Sequence, residues 1–401
     1  SIPASKRAVS EMGQAKNDLQ NLSIEMVTQQ SQIQNLGCQS VFLERYRESS
    51  ARSASATLKM RQFNLFTETV AQSLVTVSGV ATLAIGTLMA ASGDLSQGAL
   101  IACMALAWKV LNPIRSMFLS GMVLGQTVQS FQQIDRLMGI KPERTPEKTP
   151  SVTHTFSGAI EFDRVAFRFN AKREPALRQL SFKVQPGEFI VLCGPSGAGK
   201  TTALKTLLGL YQPQAGSIRV DGINLRQINL GAWRQSIGTA LEVADFYHGS
   251  IAQNLRLASP EATDDDIQAI ALRFGLHDYF GDVLPEGLET RMSRRNMATW
   301  PDALKSRIAL CRAFVKRDAI RVLDNPADTL DHDGEMALRA ELDRTRGTST
   351  MLMSTHRPSL MRLADKVLWI EDGMVAGFDT PDEIVPKFMA TYFSKPAANQ
   401  A

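Results

Sequence analysis

One eight-residue stretch constrains this chain more than any other part of it. Gly194-Pro195-Ser196-Gly197-Ala198-Gly199-Lys200-Thr201 matches G-x-x-x-x-G-K-[ST] at every fixed position. It follows an apolar run, Phe189 to Cys193, and precedes a segment, Thr202 to Leu210, that reads as a helix. In that context the glycines let backbone N–H groups converge on phosphate oxygens, with the positive end of a helix behind them. Lys200 is expected to reach the β- and γ-phosphates, and the Thr201 hydroxyl to ligate Mg²⁺. The site is expected to run from Gly194 through Thr202. Its second Mg²⁺ ligand should be an Asp ending another apolar strand, and Ala319 to Asp324 supplies one, with Arg321 as an odd cation inside the run.

Around this loop the pattern is α/β. Ile160, Phe162, Val165, Phe167 and Phe169 suggest a strand pair, and Leu180 to Val184 and Phe189 to Cys193 read as strands around a Pro186-Gly187 turn. Segments 215–222 and 367–374 look like hairpins, each with an Asp-Gly dipeptide, and 250–315 looks largely helical. Residues 139–158, with Pro142, Pro146 and Pro150 among charges, read as a linker. The α/β domain is expected over 159–395.

The first 138 residues are different. Up to residue 62 they are polar, with apolar residues at helical offsets (Leu19, Leu22, Met26; Ile33, Leu36; Val41, Phe42, Tyr46), which predicts a long amphipathic helix broken near Gly37. A soluble coiled-coil arm is the plain alternative. Val70 to Ala91 carries no charge over 22 residues, enough for a helix to cross about 30 Å of hydrocarbon. A polar turn, 92–97, leads to a second apolar run from Gly98 to Val128, interrupted by Lys109, Pro113 and Arg115. Together these predict a membrane hairpin over about 63–128. Arg45, Arg47, Arg52, Lys59 and Arg61 precede it and Arg136 and Lys141 follow, while the turn has no Lys or Arg. The positive-inside rule then puts both ends of the chain in the cytosol. A buried hairpin of a soluble domain is the other reading.

Composition bounds the partners. A net charge of +4 over 401 residues is too mild to argue for nucleic acid. Cys38, Cys103, Cys193 and Cys311 fit no metal or disulfide spacing, which suggests a reducing compartment. A mean hydropathy of −0.10 excludes a chain made mostly of spans but not one with two. The chain opens on Ser1 with no signal sequence, so a processed product or a piece of something longer is expected.

The order of phosphate loop, helical segment, Asp-ended strand and Ser354-Thr355-His356-Arg357 resembles the nucleotide-binding domain of ABC transporters. Gly98-Ala-Leu-Ile-Ala-Cys103 and Leu111-Asn-Pro-Ile114, with two spans and a linker, look like the last two helices of an exporter. Gly209-Leu-Tyr-Gln-Pro213 and Val220 to Gln227 are similar to type I secretion exporters, bacterial inner-membrane ATPases that export toxins and adhesins. The resemblance implies an α/β P-loop NTPase domain preceded by an all-α transmembrane segment with long cytosolic helices and a coupling helix within 1–62. It implies ATP and Mg²⁺ as cofactors, and membrane lipid and a second exporter half, identical or different, as partners. A periplasmic adaptor and an outer-membrane channel belong to the same frame.

Carried over position by position, the resemblance gives Phe169 the adenine-stacking place and His356 the γ-phosphate contact. Asp331 falls in the loop that crosses between subunits. Other positions depart from the family. Its Mg²⁺- and water-sensing glutamine falls on Glu242, and its water-activating carboxylate falls on Asn325, which cannot accept a proton. Its Leu-Ser-Gly-Gly-Gln signature falls on Trp300-Pro301-Asp302-Ala303-Leu304. Pro301 has neither hydroxyl nor N–H, and the Asp302 carboxylate would repel phosphate unless it turned away. Binding groups are largely present and turnover groups largely absent. The expectation is a chain that binds ATP and hydrolyses it slowly or not at all. An active exporter subunit and a soluble ABC protein are the alternatives.

Overall fold

The computed structural model describes residues 2–92, 96–140, 156–170, 172–242, 245–316 and 319–392. The chain divides into two units, Ser1–Arg144 and Thr145–Ala401.

The first unit is helical throughout. Ile2–Thr28 and the short helix Gln30–Asn35 lead to the break expected near Gly37. There Gly37, at φ 62°, donates its N–H to the Gln34 carbonyl, and Cys38 donates to the Ile33 carbonyl. The two bonds close a Schellman stop that needs a residue free to turn left-handed. The next helix, Gln39–Ala91, is unbroken over 53 residues, roughly 80 Å at 1.5 Å per residue. It packs on Ile2–Thr28. Its apolar half leaves Leu74, Val77, Val80 and Leu88 exposed. It is long and apolar enough to cross a membrane. Ser96 caps the following helix, Gln97–Met138, by accepting from the Ala99 N–H at 3.2 Å. Gly86 faces Leu100, where an added Cβ would sit 2.3 Å from Leu100 Cδ1, so the two helices meet through a small residue. Among the described residues the apolar part of this helix includes Gly98–Val110, and the helix continues through Pro113. Lys109 is exposed. The centre of the polar turn, residues 93–95, and the linker residues 141–155 lie outside the described residues, as does the side chain of Arg115.

The second unit is built on a six-stranded sheet. Its order is Met374–Asp379, Lys366–Glu371, Phe189–Cys193, Thr350–Ser354, Ile320–Asp324, Ile237–Ala240. All neighbours are parallel except the first pair. Its strands are almost continuously apolar, as a sheet covered on both faces requires. Phe189, Val191 and Cys193 point into one core with the helices Ile251–Ala258, Asp264–Arg273 and Asp302–Phe314. Ile190 and Leu192 point into another, shared with an antiparallel sheet of Leu177–Val184, Ile160–Phe167, Ala215–Val220 and Ile223–Asn224.

The structure corrects several expectations. The residues Ile160 to Phe169 form one strand, Ile160–Phe167, not a pair; its register shifts around Arg164, which sits at φ 47°, and Phe169 lies beyond its end. The predicted linker ends earlier than 158, because the Phe156 ring is buried edge-on against Trp233 at 4.9 Å. The Asp221 carboxylate holds the next residues in place, accepting from the Ser157 and Ala159 N–H groups at 2.7 and 2.9 Å. The segment 250–315 is largely helical, as expected, although 274–301 holds only short helical pieces, Leu276–Tyr279, Gly287–Glu289 and Arg294–Met297. Both Asp-Gly dipeptides close hairpins, with φ positive at Asp221 and Gly222 and at Asp372 and Gly373, as type I′ turns require. The second hairpin runs on to Asp379.

The phosphate-loop helix, Lys200–Leu207, is fixed at its C-terminus by two side chains. Trp233 Nε1 donates to the Leu207 carbonyl at 2.8 Å, and Arg234 donates to the Leu208 and Gly209 carbonyls at 3.0 and 3.2 Å. Trp233 is fully buried. Trp233→Ala should therefore cost about 3–5 kcal/mol, read as a lowered denaturation midpoint of the full chain; an unchanged midpoint would contradict this packing.

Candidate functional site

Three parallel strands end side by side at Cys193, Asp324 and Ser354, the edge at which open α/β sheets bind ligands. The loop Gly194–Thr201 leaves the first of them. Its backbone runs so close to its neighbours that side chains are excluded. A Cβ on Gly194 would lie 2.1 Å from the Ile370 carbonyl oxygen, and one on Gly199 would lie 2.6 Å from that of Ala176. Ala198 is buried and donates its N–H to the Pro195 carbonyl, while Ser196 and Gly197 face outward. Lys200 is buried, and its Nζ donates to the Gly194 and Pro195 carbonyls, each at 2.9 Å. Burial lowers the Lys200 pKa, and the Asp324 charge opposes that shift. Thr202 is buried behind the loop and accepts from the Thr206 hydroxyl through its carbonyl.

Asp324 ties the strand ends together. Its Oδ1 accepts from the Thr201 hydroxyl at 3.1 Å and from the Ser354 hydroxyl. Its Oδ2 is buried with no hydrogen-bond partner. A buried carboxylate oxygen left without a donor fits a hard cation, and the Thr201 hydroxyl beside it is a second oxygen ligand. Among the described residues no cluster of three or more His, Cys, Asp or Glu could hold a metal. The donor set thus suits Mg²⁺, which keeps waters and takes further oxygens from substrate phosphates.

Beside it, Asn325 adopts φ 47° and donates its N–H to the Ser354 carbonyl at 3.1 Å and hydroxyl oxygen at 2.9 Å. Its Oδ1 lies 3.3 Å from the same hydroxyl. His356 is half-buried two residues after Ser354, with its pKa lowered first by burial and then by Lys200; Asp328 and Glu242 act the other way. Glu242 is exposed at the end of the edge strand. The loop, Asp324, Asn325, Glu242 and His356 are thus brought to one place.

The remaining predicted residues are held locally. Phe169 is 56% exposed, edge-on to Phe167 and Tyr211. Trp300 and Leu304 are buried in the core, and Pro301 occupies the N-cap of Asp302–Phe314 without a capping side chain. Asp302 bridges to Lys305 at 2.9 Å, and Ala303 is half-buried. Both Asp331 oxygens accept from Arg307, at 2.8 and 2.9 Å, and Oδ1 also accepts the Gly334 N–H. Burial would raise the Asp331 pKa; the Arg307 pair and the hydrogen bond from the Gly334 N–H act together against it, and the net shift is downward. Ser354 and Arg307 were visible in the sequence only as parts of longer segments; their contacts join residues 30 and 24 positions apart.

Two family models match the chain: "ABC transporter" over residues 177–328 and "ABC transporter transmembrane region" over 2–114. The matches fall one in each unit, and the chain has the fold of an ABC exporter: a helical transmembrane part followed by an α/β P-loop nucleotide-binding domain. Its fold is similar to that of a bacterial Atm1-family ABC exporter with ATP bound, at a TM-score of 0.87 and 21% identity, over 99% of this chain and 70% of that one. The beta-(1→2)glucan export ATP-binding/permease protein NdvA of Bradyrhizobium diazoefficiens is 35% identical over 231 residues, 58% of this chain and 38% of NdvA. A fatty acid ABC transporter ATP-binding/permease protein of Mycobacterium bovis is 30% identical over 298 residues, 74% of this chain and 46% of that protein. The chain thus spans less than half the length of each of these two curated relatives.

The depressed His356 pKa fixes a sign. Between its ordinary value of 6.5 and its lower folded value the unfolded chain binds more protons than the folded one. Stability is present above pH 6.5 and falls as the pH drops through that window. His356→Gln should flatten the slope of denaturation free energy against pH there, and an unaltered slope would contradict the assignment.

Proposed function

We propose that this chain is the ATP-binding/permease half of an ABC-type exporter, and that it binds Mg²⁺ and ATP while turning ATP over slowly or not at all. The observation that carries the reading is the Asp324 carboxylate between the Thr201 and Ser354 hydroxyls, with a neutral amide, Asn325, as the next residue.

Binding and turnover fall to different residues. Backbone N–H groups of Gly197 to Thr202 receive phosphate oxygens, and Lys200 exchanges its carbonyl partners for β- and γ-phosphate oxygens. Thr201 and Asp324 would hold Mg²⁺, which when bound would supply positive charge beside the phosphates. His356, neutral at physiological pH, donates to the γ-phosphate side. Asn325 orients a water but cannot take its proton, a loss of about 10²–10⁴-fold in rate. Asp302 is drawn to Lys305 and away from phosphate, yet Pro301 offers neither hydroxyl nor N–H to a partner's nucleotide.

The permease part rests on the apolar half of Gln39–Ala91 and its exposed side chains. Two spans enclose no pathway, so the remaining helices belong to other sequence, and a second exporter half is needed to complete both nucleotide sites. The flanking Arg and Lys residues support cytosolic ends and a bacterial inner membrane. Type I secretion, with protein cargo, an adaptor and an outer-membrane channel, is supported by 209–213 and 220–227 alone. The named relatives, a glucan export protein and a fatty acid ABC transporter, each an ATP-binding/permease protein, favour the wider transporter class.

Calorimetry on the full chain with Mg²⁺ and ATP tests the reading. Binding should be measurable and should weaken by at least tenfold in Lys200→Ala, with negligible turnover in the chain alone. Robust turnover by the purified chain, lost in Lys200→Ala, would establish an active ATPase instead. If Asn325→Glu alone restores turnover, Trp300 to Leu304 does not limit catalysis. Release from membranes by a carbonate wash would favour the soluble reading.

A further inference from the structure

We propose that Tyr211 and Gln214 are positioning residues for the Phe169 ring and so set how firmly the site holds a nucleobase; this rests on the reading of Phe169 as the surface on which the base stacks.

Phe169 lies two residues beyond the last residue of its strand. The strand ladder ends on one side at Phe167 opposite Leu177 and on the other at Ala166 opposite Ala215, so sheet pairing does not reach it. Its position is set instead by the segment that comes after the phosphate-loop helix. The Gln214 N–H donates to the Ala166 carbonyl at 2.9 Å. The Gln214 side chain then takes over where the ladder stops. Its Oε1 accepts from the Arg168 N–H at 2.7 Å and its Nε2 donates to the Arg168 carbonyl at 2.8 Å. One carboxamide thus acts as a surrogate strand residue and fixes the backbone next to Phe169.

Tyr211 fixes the ring. It stacks on Phe167 with centroids 5.0 Å apart and planes at 14°. Phe169 stands nearly perpendicular to both, 5.0 Å from Phe167 at 84° and 5.3 Å from Tyr211 at 83°. Edge-to-face is a favoured aromatic arrangement, and two such contacts restrict a side chain that is otherwise 56% exposed. A ring ordered before binding does not lose that freedom when a base arrives. The positioning segment is also joined to the phosphate loop. It leaves the helix Lys200–Leu207 directly, and the Leu210 N–H donates to the Lys205 carbonyl at 3.0 Å. The base surface and the phosphate cradle are thereby held in register through one short segment.

The test compares ATP with inorganic tripolyphosphate, both with Mg²⁺, by calorimetry on the full chain. Tyr211→Leu and Gln214→Ala should each weaken ATP by about 3- to 10-fold and leave tripolyphosphate affinity unchanged. Tyr211→Phe, which keeps the ring, should bind ATP like the wild type, and Gln214→Glu, which accepts but cannot donate, should fall between. Phe169→Ala should remove the advantage of ATP over tripolyphosphate. If Phe169→Ala leaves ATP affinity unchanged, the base-stacking reading fails and the proposal with it. If it weakens ATP while Tyr211→Leu and Gln214→Ala do not, the positioning roles alone are overturned. An equal loss of ATP and tripolyphosphate in those two variants also overturns them, because it marks general damage.

Discussion

The carboxylate of Asp324 is the interaction on which the candidate site depends. It joins the ends of two neighbouring strands through Ser354 and reaches across to the first turn of the phosphate-loop helix through Thr201. One charged group therefore sets the spacing of the three segments that would meet a triphosphate. Its second oxygen stays buried without a donor, which is costly unless a cation completes it. The strands around it are apolar and covered on both sides, so this polar junction is placed by a scaffold with little freedom to relax.

Where the chain departs from the family it resembles, the fold accommodates the change without strain in the packing. Pro301 and Asp302 make a serviceable helix start, since proline needs no N–H partner there and the aspartate finds Lys305. Asn325 keeps the backbone bonds that its position requires, to the Ser354 carbonyl and hydroxyl. What differs is the chemistry each residue offers to a bound phosphate or water. Under the function proposed above, structure and turnover are separable in this domain, and these positions bear on turnover.

Much of this was legible in the sequence, for identifiable reasons. The phosphate loop is a contiguous motif, and Asp324 is marked by the apolar run before it. The break at Gly37 and both Asp-Gly hairpins follow from local backbone preference, which a short window contains. The single bulged strand at 160–167 reads as two because alternation of side chains has no term for a residue at positive φ, here Arg164. The roles of Gln214 and Tyr211 were not legible. Each depends on contact with residues more than 40 positions away, and the Gly209 to Pro213 motif carries a family resemblance but does not reveal those contacts.

The unbroken helix from Gln39 to Ala91 has a mechanical consequence. With no proline within it, it behaves as a strut of roughly 80 Å that bends only gently. A tilt of about 5° at its apolar end would displace the opposite end by about 7 Å, given the length fixed by the helical rise. The short helix and Schellman stop at Gly37 sit at that far end, where such an arc is widest. A small angular change among apolar side chains is thus converted into a sideways stroke longer than a full helical turn.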